Sequence, residues 1–149
     1  MNMESLNLPV ANLSFSESNG KITVFDPLRK RWVAYTPEES VRQHVISFLI
    51  YSLGYSSGLL GVEQQIKVNR RLFRTDLVAW TSAGEPWLLI ECKAPDVALT
   101  PDVLEQAVRY NITLKATYVA ITNGIKHHVF SIDTIKGISI CEGWPMPPV

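Results

Sequence analysis

Apolar residues recur along the chain at two spacings, one of strands and one of helices. Arg74-Thr75-Asp76-Leu77-Val78-Ala79-Trp80 and Trp87-Leu88-Leu89-Ile90-Glu91-Cys92-Lys93 are apolar at strand length, and Thr81-Ser82-Ala83-Gly84-Glu85-Pro86 between them carries the Gly and Pro of a turn. This pattern predicts a β-hairpin. Leu88 to Ile90 is apolar on both faces, as in a central strand covered by helices on both sides. Further strand patterns are Ile22 to Phe25 and Trp32 to Tyr35 around a basic turn, Val62 to Val68 after a Gly/Ser-rich connection, Thr117 to Thr122, and His127 to Ile132 after the turn dipeptide Asn123-Gly124.

The helical spacing occurs twice. Thr36 as N-cap, Pro37 at the first helical position and Glu39 at the third form a capping-box opening. Val41, Val45, Ile46, Phe48, Leu49 and Ile50 carry that helix to about Leu53, with Gly54 as its stop. Glu38 shares a side with Val41, Val45 and Leu49 and can face the sheet, whereas Glu39 has its explanation in the cap. Arg42, one turn after Glu38, can hold Glu38 or a phosphate; Gln43 and His44 turn away. Thr100-Pro101-Asp102 repeats the opening, and Val103, Leu104, Ala107, Val108 and Asn111 trace the packed side of a second helix whose edge carries Gln106 and Tyr110 one turn apart. The class is α/β, with a mixed central sheet flanked by helices. Residues 1–20 read as a flexible arm, 21–140 as the folded domain and 141–149 as an extended tail.

The central hairpin holds the candidate chemistry. With Trp80 opposite Trp87, Asp76 sits opposite Glu91, and facing carboxylates destabilise a sheet by a few tenths to ~1 kcal/mol. A divalent cation between them removes that objection. Alternation puts Glu91 and Lys93 on one face and Cys92 on the other. Two carboxylates and an ammonium on one patch suit metal-assisted phosphodiester hydrolysis: hard oxygen ligands hold Mg²⁺, and the amine orients water or stabilises developing charge.

Asp76, fourteen intervening residues and then Glu91-Cys92-Lys93 resembles the PD-(D/E)xK nuclease motif. The wider context resembles the N-terminal nuclease domain of type I restriction enzyme R subunits, through Thr36 to Gln43, Arg74-Thr75-Asp76, Ile90 to Pro95, Gln106 to Asn111 and Thr122-Asn123-Gly124. Thr75 stands where the motif's name has Pro. The resemblance implies a restriction-endonuclease-like αβββαβ core and a Mg²⁺- or Mn²⁺-dependent endonuclease acting on DNA. It implies Asp76, Glu91 and the backbone carbonyl of Cys92 as metal ligands, Glu38 as an auxiliary ligand, Lys93 as the charge stabiliser, and Gln106 and Tyr110 as substrate supports. Restriction-system subunits are the implied partners, and cutting both strands calls for a homodimer. No Walker-type G-x-x-x-x-G-K-[ST] run exists, so an ATP-driven motor has to come from elsewhere. The alternative is a non-catalytic module that binds DNA or a restriction partner.

Composition narrows this further. With 46% apolar and 19% charged residues the chain is globular, and its 149 residues suffice for one domain. Fourteen basic and fourteen acidic residues cancel, so affinity for nucleic acid has to come from local charge. Lys67, Arg70, Arg71 and Arg74 provide it, as a rim tracking phosphates or as a plain solvated edge. Two cysteines without metal-ligand spacing point to a reduced, cytoplasmic protein, with Cys92 as a small buried hydrophobe. No membrane-spanning run or basic signal start is present. His127 and His128 are adjacent on a strand, point to opposite faces and cannot easily share an ion.

Overall fold

The computed structural model describes residues 5–149. Its elements are β1 (Phe15–Ser18), β2 (Lys21–Asp26), β3 (Arg31–Ala34), α1 (Pro37–Ser47), β4 (Leu60–Val62), β5 (Gln65–Val68), β6 (Arg71–Arg74), β7 (Leu77–Trp80), β8 (Pro86–Cys92), α2 (Pro101–Leu114), β9 (Tyr118–Thr122), β10 (His127–Asp133) and β11 (Gly137–Cys141). A six-stranded sheet in the order β11-β10-β9-β8-β7-β4 forms the centre. Among the described residues only β8 and β9 pair in parallel, joined by the crossover through α2. The run α1, β4, β7, β8, α2, β9 is the αβββαβ order, and the fold is compatible with the restriction-endonuclease-like class. β1-β2-β3 and β5-β6 are separate small sheets.

Alternation along β8 distributes the two cores. Leu88, Ile90 and Cys92 pack with Val41, Val45 and Ile46 of α1 and with Leu49 just beyond it. Leu89 packs with Val119, Ile121, Ala107 and Leu114 on the side of α2. Leu88 and Ile90 on one face and Leu89 on the other are all buried, as expected for a strand covered on both faces. Both helices open as their sequences predict: Thr36 Oγ1 accepts from Glu39 N–H, and Thr100 Oγ1 from Val103 N–H. Beyond Ser47 a π-helical turn, Phe48–Ser52, completes the first helix, and Gly54 follows with a left-handed φ of 83°.

Several expectations need correction. The proposed arm contains β1, which pairs with β2, while Leu6 and Leu8 pack on the core and Asn7 N–H donates to Gly124 O. Polar residues form this strand because β2 offers it a ladder. Residues 1–4 of the arm lie outside the described residues. The tail is extended but docked: Trp144 stacks edge-on to Phe48, and the Pro145 and Met146 carbonyls accept from Tyr55 Oη–H and Trp87 Nε1–H. β11, not anticipated, ends at Cys141.

The strand drawn through Val62 to Val68 is two strands, interrupted at Glu63, whose φ is 50°. The strand drawn from Arg74 to Trp80 is likewise interrupted, at Thr75 and Asp76, where Glu63 N–H donates to Asp76 O and Thr75 N–H to Gln64 O. The hairpin register holds at Leu77 to Ala79, with Leu77 opposite Ile90. Near the turn a bulge shifts it, so Trp80 faces Pro86 rather than Trp87.

Candidate functional site

β7 begins one residue after Asp76, and β8 ends one residue before Lys93, so both sequence candidates sit where the strands give way to loops. The N-terminal turn of α1 arrives there with Glu38 and Arg42, and α2 contributes Gln106 and Tyr110. These residues, with Glu63, Arg74, Glu91 and the backbone region of Cys92, line one cavity of about 400 Å³. Of the basic run expected beside the site only Arg74 borders this space; Lys67, Arg70 and Arg71 do not line it.

Their bonding is specific. Asp76 Oδ1 accepts from Arg42 Nε at 2.7 Å, and Oδ2 accepts from the Cys92 amide at 2.7 Å. Lys93 Nζ lies 2.9 Å from Glu91 Oε1. Tyr110 Oη–H donates to the Arg74 carbonyl at 3.0 Å, and its ring stands edge-on to Phe73. Arg74 is exposed, with its guanidinium 3.5 Å from Glu63. The Cys92 side chain is buried on the opposite face of β8, and desolvation pushes its thiol well above the usual range, which suits an inert hydrophobe.

Arg42 departs from the expectation that it holds Glu38. Glu38 is half-exposed and 3.7 Å away, whereas Arg42 is buried and pairs with Asp76 at 2.6 Å and Glu39 at 2.8 Å. Glu39 is more than a cap. Its carboxylate turns inward to accept from Arg29, Arg42 and Gln43, while the Thr36 amide goes to Ala34 O, so the reciprocal half of the capping box is not made. Gln43, expected to turn away, is buried for the same reason. Arg29 extends the chain of charges to the buried Asp26.

Sequence reasoning missed Glu63, Glu39 and Arg29 as part of this cluster. Glu63 had one legible signal: it is the sole acidic residue between Ser40 and Thr75 and directly precedes the basic run.

The carboxyls are electrostatically crowded. Burial pushes Asp76 up, and Glu91 pushes it further, against the pull of Arg42 and the Cys92 amide. Arg42 cannot reverse this because its single charge is shared with Glu39. Glu38 is raised by partial burial and by Asp76, and Lys93 is raised first by its bond to Glu91. Among the described residues no three His, Cys, Asp or Glu side chains form a ready metal cluster. The donor set nevertheless fits a hard divalent cation: two carboxylates at one end of the central strands β7 and β8, a third lining the same cavity from α1, and mutual repulsion that a cation relieves. His127 bonds to Thr122 and to the Asn7 carbonyl instead of forming a metal pair with His128.

No helix among the described residues is long and apolar enough to cross a membrane. No curated protein matches the sequence. The profile of the type I restriction enzyme R protein N terminus (HSDR_N) matches residues 37–141, more than half of the chain and the whole span from α1 to β11. The six-stranded sheet, the two helices and the pocket between them are thus those of a chain that belongs to the type I restriction enzyme R protein N-terminal family.

Proposed function

We propose that this chain is a Mg²⁺- or Mn²⁺-dependent endonuclease acting on DNA in the cytoplasm. The observation that carries the reading is the meeting of Asp76, Glu91, Lys93 and Glu38 in one cavity beside an exposed basic edge. Asp76, Glu91 and the Cys92 carbonyl would hold the metal, with Glu38 auxiliary. Bound there, the cation would polarise a phosphoryl oxygen and acidify a water. Lys93 stays protonated, since Glu91 raises it, and so acts as a cation and donor rather than a base. Tyr110 and Gln106 line the side on which substrate enters, and Arg42 fixes Asp76 while leaving Oδ2 toward the β8 backbone.

The family match supports restriction-system subunits as partners, and a single site per chain would need a homodimer to cut both strands. One observation favours a non-catalytic binding module instead: Arg42 already neutralises Asp76. Purified protein with Mg²⁺ or Mn²⁺ and plasmid, linear or single-stranded DNA separates the two readings. Cleavage is expected, and Asp76→Asn and Lys93→Ala are expected to abolish it. Full activity in both variants would rule out the assignment.

A further inference from the structure

β5 and β6 form a two-stranded ribbon that pairs only with itself among the described residues. It emerges between β4 and β7, and its base is fastened to the site. Thr75 N–H and Oγ1–H both donate to the Gln64 carbonyl, Glu63 N–H donates to Asp76 O, and Tyr110 braces Arg74 and Phe73 from α2. The segment Gln65 to Arg74 has four cations and no carboxylate in a chain whose net charge is zero. Lys67, Arg70, Arg71 and Arg74 are all exposed.

The tip is unusual. Asn69 and Arg70 make a two-residue turn with φ of 49° and 66°. Such a turn strongly favours Gly at its second position, yet here an arginine takes it. A strained backbone that holds a cation at the point of a narrow ribbon suggests that the side chain has a use.

We infer that the β5-β6 ribbon enters the major groove of duplex DNA, with Arg70 and Lys67 contacting it from the tip and the ribbon's base setting the backbone beside Asp76. The major groove, roughly 12 Å wide, admits a two-stranded ribbon. A-form RNA has a deep, narrow major groove that does not. This inference rests on the nuclease reading for the ribbon's purpose, but binding and cutting are separable.

The test measures equilibrium binding of the full chain to duplex DNA, single-stranded DNA and duplex RNA without divalent metal, across a salt series. Arg70→Gly and Lys67→Ala should each weaken duplex binding roughly 5–10-fold and lower the salt slope by about one. Arg70→Gly should keep or raise the melting temperature, because Gly adopts this turn freely. Asp76→Asn should still bind duplex DNA. The inference is overturned if both variants bind as the parent does, or if the parent binds duplex RNA or single strands as tightly as duplex DNA. A parent that binds through the ribbon but never cuts would sink the nuclease reading alone; one that cuts with an indifferent ribbon would sink only the ribbon.

Discussion

Arg42 approaches a single oxygen of Asp76 with two nitrogens, Nε at 2.7 Å and Nη2 at 2.6 Å, while its remaining nitrogen lies 2.8 Å from Glu39. One buried guanidinium thus couples the end of the sheet to the first turns of α1. Arg42→Ala removes the shared partner of the buried Glu39 and the part-buried Asp76 and should destabilise the fold by about 3 kcal/mol, as for other broken buried pairs. Arg42→Lys should recover only part of that, because an ammonium lacks the planar fork. Urea unfolding of the parent and both variants gives the comparison, and equal midpoints would show that the pair is not structural.

The raised carboxyls predict a pH dependence. Asp76 and Glu38 lie above their ordinary values, mainly through burial. A carboxyl whose folded pKa exceeds its unfolded one contributes stability below the unfolded value and loses it as pH rises through the folded value. Metal binding, on the proposed nuclease reading, would have the opposite slope, since it needs the carboxylates bare. Calorimetric titration with Mn²⁺ from about pH 4 to 8 should show affinity climbing past the usual carboxylate range before it levels off. An affinity already flat at the acid end would contradict the raised values.

Tyr110 offers a milder perturbation. Tyr110→Phe keeps the ring on Phe73 and removes the donor to the Arg74 carbonyl. The expected loss is about 1 kcal/mol. Metal affinity should be unchanged, and DNA binding should fall as the ribbon's base loosens. A change in Mn²⁺ titration would place Tyr110 closer to the acids than this.

Gly124 follows β9 at the same end of the sheet as Lys93. Its φ is 85°, and an added Cβ would meet Leu6 Cδ2 at 2.8 Å and Val41 Cγ2 at 3.0 Å. Gly124→Ala should therefore cost at least ~1 kcal/mol and unseat residues 6–8 from the core. Faster exchange of the Asn7 amide, which bonds Gly124 O, is the local readout. Unchanged exchange would indicate that the Leu6 side chain simply swings aside.

Helix starts, the central hairpin and its register over Leu77 to Ala79 were legible in the sequence because each is written locally, in Thr-Pro openings and in period-two alternation. The acids at Asp76 and Glu91 followed from the same alternation. What escaped was set by distant partners. Glu39 looks like a cap until Arg29, ten positions earlier, is folded against it. Arg42 looks like a partner of Glu38 because they lie one turn apart, but Asp76 is the better buried acid. The break at Glu63 and Thr75, which frees the ribbon, leaves no period in the apolar pattern. β1 and β11 are edge strands with little burial, so hydrophobic spacing does not announce them.

The parallel ladder between β8 and β9 also bears on how the cavity is assembled. Leu88 pairs with Tyr118 and Lys93 N–H reaches Thr122 O only after the whole α2 crossover has closed, a long loop whose entropy is lost before any contact repays it. The pocket walls supplied by α2 should therefore assemble late, downstream of the local hairpins. A cation or oligonucleotide that recognises the finished cavity should prolong the native lifetime while leaving the refolding rate untouched.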